Sequence, residues 1–371
     1  MRILLVTGIF PPDHGGPASY VPVIAHGLRS LGHDIAGVIT LSDHLGHDDT
    51  NFGFPVIRLR RGRYRPLRWL QTVLAIRRHA HSVDVVYLNG LVLEGIVATK
   101  LIGCRPTVIK VVGDLIWEKA RNQRATTLGI DAFQEADLPL HWRLLRRLQG
   151  WYTGLADAVI TPSRYLAGIV VSWGVASERL NVVYNAVELP PATAAMAPQV
   201  DIVTVARLVP WKGLADLINV VAVNGWSLRI VGDGPLRDEL EAQARELNAD
   251  VTFCGQVLAA RVPEEIRGGR LFVLFSSYEG LPHIVLEAKA AGVAVLASAA
   301  GGTPEAIDHG IDGWLVPTGD RPTLAAAIAR LLGDDHLRQT LARQGRTSIG
   351  ERFGYERMVR DTASVLQEVT A

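Results

Sequence analysis

Hydrophobic positions in this chain come in short runs rich in Val, Ile and Leu, each followed by a longer stretch whose apolar residues recur at helical spacing. Short apolar runs bounded by turn residues read as buried strands, and their alternation with helical stretches predicts parallel sheets with crossover helices. In the first half the predicted strands are Ile3 to Thr7, Ile35 to Ile39, Val83 to Leu88, Thr107 to Val112 and Ala158 to Thr161. Between the first two, Ala18 to Leu31 is apolar at helical spacing and stops at Gly32, a common helix terminator. The second half restarts the scheme with strands at Asp201 to Ala206, Ser227 to Val231, Val251 to Cys254, Leu271 to Phe275 and Val293 to Ala297. Its helices are predicted near 213–222, 235–247, 282–292 and 321–333.

Glu188-Leu-Pro-Pro-Ala-Thr-Ala-Ala-Met-Ala-Pro separates the halves, and its prolines and small residues mark a linker. A chain of 371 residues exceeds the roughly 250 at which a single core stops growing. The expected fold class is therefore α/β, with two Rossmann-like domains facing each other across a central cleft. Their expected spans are 1–186 and 200–352, joined by a linker over 187–199.

Composition narrows the class. Hydrophobic content of 48% with 20% charged residues is too apolar for disorder, and no apolar run reaches the roughly 18 residues of a membrane-spanning helix. The first strand starts almost at Met1, so no secretory signal is expected, and the distant Cys104 and Cys254 suggest neither a disulfide framework nor a zinc knuckle. A cytoplasmic location is expected.

The net charge of +1 conceals an asymmetry. Met1 to Tyr184 holds 21 basic and 14 acidic residues (+7), which leaves 17 and 23 (−6) for the rest. Much of the basic excess lies between Asn51 and Val83, where Arg58, Arg60, Arg61, Arg63, Arg65, Arg68, Arg77 and Arg78 stand without one acidic residue. Tyr64, Leu67, Trp69 and Leu70 are interleaved, a mix suited to a headgroup layer, where anionic lipid attracts each cation by about 1 kcal/mol. The amphipathic run His141 to Leu148 with Trp151 and Tyr152 repeats the mix. A solvated face is the plain alternative; the expectation is a peripheral contact with an anionic membrane surface on its cytoplasmic face through Arg58 to Arg78, and no nucleic-acid binding.

The segment richest in chemistry is Ser277-Tyr-Glu279-Gly280-Leu281-Pro282-His283-Ile-Val-Leu-Glu287. It follows a predicted strand, and Pro282 suits the first position of a helix, where its missing NH would have had no partner. The amides of that loop and first turn, with the helix dipole, form an anion site suited to phosphate. Two glutamates beside a phosphate would repel it unless they point at neutral hydroxyls, which a sugar nucleotide offers on its sugar and on its ribose. Positive charge comes from the loop after the first strand of the same half, in Arg207 and Lys212. Both loops sit at the carboxyl edge of the sheet, where open α/β sheets bind ligands, so they are expected to meet around a diphosphate. Taken singly, Glu279, Glu287 and Arg207 are ordinary surface residues; their spacing favours function. Gly232-Asp-Gly234 lacks the third glycine of a dinucleotide fingerprint, which argues against a nicotinamide cofactor.

Arg207 with Lys212, Gly232-Asp-Gly-Pro, Glu279 with Glu287, Ala300-Gly-Gly-Thr-Pro-Glu305 and Gly313-Trp-Leu-Val-Pro, in that order, resemble the retaining GT-B glycosyltransferases of family four, the group 1 type. The first half matches more loosely, through Gly15-Gly16 and Gly32-His33-Asp34. The resemblance implies a nucleotide-sugar-dependent glycosyltransferase in which Phe353 to the C-terminus crosses back onto the first domain. It places Glu279 near the transferred sugar and Glu287 on the nucleotide ribose. Arg207 and Lys212 would take the diphosphate; Gly280, Leu281, Pro282 and His283 would line the donor with their backbone, Gly16 would let its loop approach the phosphates, and Val257 would lie near the base. A UDP-sugar is favoured, a GDP-sugar is the alternative, and no other cofactor is implied. The acceptor would be a lipid-linked or glycan precursor, with a soluble anionic small molecule, or epimerisation of the donor itself, as alternatives.

Two positions complete the reading. Where many relatives carry a histidine facing the sugar, this chain has Val112-Gly-Asp114, so Asp114 is a candidate catalytic residue, either bonding a sugar hydroxyl or stabilising positive charge on the ring. No Asp-x-Asp occurs, and the nearest metal-like cluster, His44, His47, Asp48 and Asp49, falls in a stretch expected to be a plain loop, so no metal is expected.

Overall fold

In the computed structural model, which describes residues 1–13, 15–190 and 197–371, the β-branched runs form two wholly parallel sheets. The first contains β1 (Arg2–Thr7), β2 (Asp34–Ser42), β3 (Val56–Arg60), β4 (Val85–Asn89), β5 (Thr107–Lys110), β6 (Ala158–Thr161) and β7 (Leu180–Val182), in the order β3-β2-β1-β4-β5-β6-β7. The second contains β8 (Val200–Val205), β9 (Leu228–Val231), β10 (Val251–Gly255), β11 (Gly269–Leu274), β12 (Val295–Ser298) and β13 (Trp314–Val316), in the order β10-β9-β8-β11-β12-β13. In each sheet the chain starts in the middle and winds both ways, so the connections diverge between β1 and β4 and again between β8 and β11. Crevices open at such switch points, outside the carboxyl ends of the strands.

The strands that the sequence reading lacks are β3, β7 and β13, all at sheet edges. An edge strand is paired on one side only and needs no continuous apolar run. β3 accordingly alternates Val56, Ile57 and Leu59 with Arg58 and Arg60 inside the basic stretch.

Both faces of the first sheet are covered. Val73, Ile76, Phe133, Trp142 and Leu166 bury one face, whereas Val21, Ile24 and Leu28 bury the other together with Met358, Val359, Ala363 and Leu366. These last four belong to the helix Tyr355–Glu368, so the C-terminal segment packs on the first sheet. Gly27 makes that docking possible, because a β-carbon there would collide with Val359. Part of the linker expected over 187–199 falls on 191–196, outside the described residues.

In the second sheet, the helix His283–Ala290 is pinned by a buried ion pair. Lys289, fully enclosed, donates to Asp312 Oδ2 (2.7 Å) and to the Ala306 carbonyl (2.8 Å), while Asp312 Oδ1 accepts from the Asp308 amide (2.8 Å). Helix and following loop are thereby held as one unit.

Candidate functional site

The loops after β8 and β11 meet at the second switch point. Lys212 Nζ lies 2.5 Å from Glu279 Oε1, with both side chains largely buried, and the Ser277 amide donates to the Trp211 carbonyl (2.7 Å). The loop after β9 joins them through the Leu208 amide, which donates to the Asp233 carbonyl (3.0 Å). The fourth wall is Ala300-Gly301-Gly302. The Gly302 amide donates to the Glu279 carbonyl (2.8 Å), and a β-carbon at Gly302 would strike the Gly280 carbonyl. Glycine is required there because two backbones touch.

Pro282 is the N-cap of the helix His283–Ala290 rather than its first residue. Leu281 and Gly280 are buried below it, and Glu287 lies on the second turn. His283 Nδ1 sits 2.9 Å from Glu287 Oε1, and its Nε2 donates to the Ala186 carbonyl (3.0 Å). Arg207 is exposed at the rim. Tyr278 OH, Ser276 Oγ and Thr303 Oγ1 are buried around this loop without a hydrogen-bond partner among the described residues. Such orphaned groups are costly, and a bound ligand or water satisfies them.

The first sheet's loops close over this edge. Ser163 Oγ donates to the Gly280 carbonyl (2.5 Å). Glu305 accepts from the Arg164 and Tyr165 amides (2.9 and 2.8 Å), capping from the second lobe the helix Arg164–Ser172 of the first. Trp117 packs against Trp211 and Tyr278 at centroid distances of 5.4 and 4.9 Å.

Asp114, the candidate catalytic acid, is placed differently from the expectation. It is fully buried as the N-cap of the helix Leu115–Asn122, with Oδ1 accepting from the Ile116 and Trp117 amides (2.9 and 3.1 Å) and from Gln149 Nε2 (3.4 Å). Oδ2 accepts from Gln134 Nε2 (2.8 Å). An Asp after a strand-end glycine is a strong cap, and here capping consumes the carboxylate. The acid that reaches the cleft is Glu118, one turn further on. Burial pushes its carboxyl up to about 7; Asp114 and Glu279 push the same way, while Lys212 and Arg207 oppose them. Sequence reasoning passed over Glu118 because a glutamate in a helix's first turn is ordinary dipole complementation.

Gly16 opens the helix Gly16–Ser30 in open space, and it is Gly15, with φ of 143°, that needs to be glycine. Val257 packs on the apolar cluster beneath β11. The stretch holding His44, His47, Asp48 and Asp49 is framed by β2 and β3, and Asp49 is taken by Arg58 at 2.6 Å. Among the described residues no group of three or more His, Cys, Asp or Glu is arranged to hold a metal. The arginine run does have counterions, drawn from outside it: Arg58 binds Asp49, and Arg61 binds Asp13 and Asp43. The other six arginines lack such partners among the described salt bridges.

The family model described as "Glycosyl transferases group 1" matches residues 189–348, and that described as "Glycosyl transferase 4-like domain" matches 15–186. The lipopolysaccharide core biosynthesis glycosyltransferase LpsD of Rhizobium meliloti is 34% identical over 212 residues, 55% of this chain and 61% of that protein. The match therefore spans less than two thirds of that relative. A GDP-mannose-dependent alpha-(1-6)-phosphatidylinositol monomannoside mannosyltransferase of Mycobacterium tuberculosis is 27% identical, covering 99% of this chain and 98% of its own. Among solved structures, Anabaena HepE in complex with UDP and glucose superposes with a TM-score of 0.79 at 22% identity, covering 99% of this chain and 100% of that one, which establishes a shared GT-B fold.

Proposed function

Because this chain belongs to the group 1 glycosyl transferases, we propose that it moves a sugar from a nucleotide diphosphate to a hydroxyl acceptor, with retention of configuration and without a metal. The observation that carries the reading is the Lys212–Glu279 pair at the switch point between β8 and β11. A diphosphate arriving there exchanges for Glu279 as the partner of Lys212, with Arg207 at the rim as a second cation. Developing charge on the leaving group is met by fixed cations, which supplies the stabilisation that a metal supplies elsewhere. Glu279, released from Lys212, is then free to accept from a sugar hydroxyl. The amides of Gly280, Leu281 and His283 meet the phosphates at the helix start, Glu287 takes the ribose, and Val257 lies toward the base. Asp114 positions this machinery through its cap and touches no substrate.

A UDP-sugar is the favoured donor, supported by the UDP named in the Anabaena structure, and the GDP-mannose in the mycobacterial name keeps a GDP-sugar as the alternative. The acceptor is a lipid-linked or cell-surface glycan precursor, presented at the cytoplasmic face of a membrane. Two helices on one side of the first sheet support that placement. Arg65–Ala80 exposes Leu67, Leu70 and Leu74 beside Arg63, Arg65 and Arg77, and Leu140–Gly154 exposes Leu144, Leu148 and Trp151 beside Arg143 and Arg147. Both pack on the segment Val92–Leu101 between them. No helix among the described residues is long and apolar enough to cross a membrane.

The test is Glu279→Gln. The fold should persist by circular dichroism, while transfer from the best donor of a sugar-nucleotide panel should fall at least about a hundredfold, roughly 2.7 kcal/mol of transition-state stabilisation. Near-normal rates would remove the central role of Glu279.

A further inference from the structure

Part of the second lobe is buried in the core of the first. Trp211, from the loop after β8, and Tyr278, from the loop after β11, belong to the apolar cluster on one face of the first sheet, together with Trp117 and Leu166. Their neighbours do not. Leu208, Leu214 and Phe275 pack in one cluster of the second lobe, and Leu281 packs in the other. Each loop is thus anchored at both ends to its own sheet and at its crest to the opposite lobe. Both crests meet Trp117, whose ring lies tilted to Trp211 and edge-on to Tyr278. Trp117 is itself fixed. It is 1% exposed, its indole NH donates to the Leu128 carbonyl (3.0 Å), and it stands in the first turn of the helix that Asp114 caps.

The order of residues ties this packing to the charges. Trp211 immediately precedes Lys212, and Tyr278 immediately precedes Glu279. The loops are bonded to each other at the same place, through the Ser277 amide and the Trp211 carbonyl (2.7 Å). No slack follows Lys212, because Gly213 turns with φ of 64° and a β-carbon there would strike the Phe275 carbonyl. With the backbone held on both sides, the direction taken by Lys212 and Glu279 follows from where their aromatic neighbours are seated. Reacting groups tolerate little drift, since a misplacement of about 1 Å can cost about a hundredfold in rate.

We propose that Trp117 is a positioning residue for the donor site: seated in the first lobe, it sets the geometry of Lys212 and Glu279 in the second through Trp211 and Tyr278, and it touches no substrate. For its effect on rate the assignment rests on the transferase reading; the alignment of the two charges does not depend on it. Moving the first lobe away would take the support from both loops together, so the pair is aligned only while the lobes are in contact.

Acylation of lysines in the full chain by a succinimidyl ester, followed peptide by peptide with mass spectrometry, reports on Lys212 without any turnover. Lys212, largely buried and paired with Glu279, should label slowly in the wild type. Trp117→Leu should raise its labelling rate at least about tenfold, whereas Trp117→Phe, which keeps a ring against Tyr278, should stay within about twofold. Lys289, enclosed in the same lobe, is the reference and should not change, which separates a loosened loop from unfolding. Nucleotide diphosphate release should show kcat falling at least about tenfold in the Leu variant and less than about threefold in the Phe variant. If Trp117→Leu does not fold, Trp211→Leu removes the same contact from the other lobe and carries the same expectations. Where both fold, the double variant should be no worse than the poorer single, because one shared contact is lost. Unchanged Lys212 labelling or kcat in a folded Leu variant, a rise shared with Lys289, or losses that multiply in the double variant overturn the assignment. If the wild type consumes no sugar nucleotide while protection of Lys212 still depends on Trp117, the positioning role stands and the transferase reading falls.

Discussion

Replacing Glu118 by Gln isolates the electrostatics of the cleft. The carboxyl is held at about 7 against its ordinary 4.5, chiefly by burial. At 1.36 kcal/mol per unit the shift is worth about 3 kcal/mol, and partial exposure reduces that to about 2. Since the folded value lies above the unfolded one, the fold favours the protonated acid. Its contribution is whole below pH 4.5 and is lost as the pH rises through about 7. Glu118→Gln stays neutral throughout, so it should match the wild type near pH 4 and exceed it by about 2 kcal/mol at pH 8, or about 4–8 °C for a unit of 150–250 residues. Thermal unfolding at the two pH values measures this. A second readout concerns the donor: a diphosphate that engages Lys212 and Arg207 offsets the cations that lower the Glu118 value, so UDP binding near pH 7 should take up a proton. Calorimetry in buffers of different ionisation enthalpy detects the uptake, which should vanish in the variant. A wild-type-to-variant difference independent of pH would refute the reasoning.

Other expectations follow from single contacts. Lys289→Met strands Asp312 in the interior and should cost about 3–5 kcal/mol by urea unfolding. Gly302→Ala drives a methyl into the Gly280 carbonyl, so it should depress initial transfer rates more than tenfold while lowering stability by only about 1–3 kcal/mol. Asp114→Asn keeps an oxygen for the cap amides but turns an amide against Gln134, so unfolding should show a loss of about 1–2 kcal/mol and kcat should stay within tenfold; a hundredfold fall in kcat would restore Asp114 to the chemistry. Reversing Arg63, Arg65 and Arg77 to Glu together should abolish sedimentation with anionic vesicles at low salt and leave the Tm nearly unchanged, whereas Arg58→Glu should unfold the loop it anchors through Asp49.

The central strands were legible because burial on both faces forces continuous apolar runs, as in Ile3 to Thr7 and Leu271 to Phe275. Among the edge strands missed, β3 breaks its apolar run with Arg58 and Arg60, and β7 and β13 are only three residues long. In the second half, the meeting of Lys212 with Glu279 was readable from loop position alone, since both loops leave the carboxyl edge beside one switch point. The capping role of Asp114 was not legible because a cap and a catalytic acid share a residue type and a place in the chain. What separates them is the supply of donors from Gln134 and Gln149, 20 and 35 positions away. Glu118 acquires meaning only from burial and from the charges that surround it. The arginine run looked unbalanced because Asp13, Asp43 and Asp49, which neutralise Arg58 and Arg61, precede it in the chain.

The contact between Lys212 and Glu279 also bears on turnover. Each charge answers the other, so on the proposed reading a stray phosphate must displace Glu279 before it engages Lys212. On the same reading the whole donor does so without leaving a debt, because its sugar hydroxyl would bond to the displaced carboxylate. Once that sugar has moved to the acceptor, Glu279 has nothing to hold, and its return to Lys212 competes with the spent nucleotide. If the proposed roles hold, the ion pair acts as an ejector, and product inhibition by the nucleotide diphosphate should strengthen when Glu279 is replaced by Gln, the same substitution expected to slow transfer.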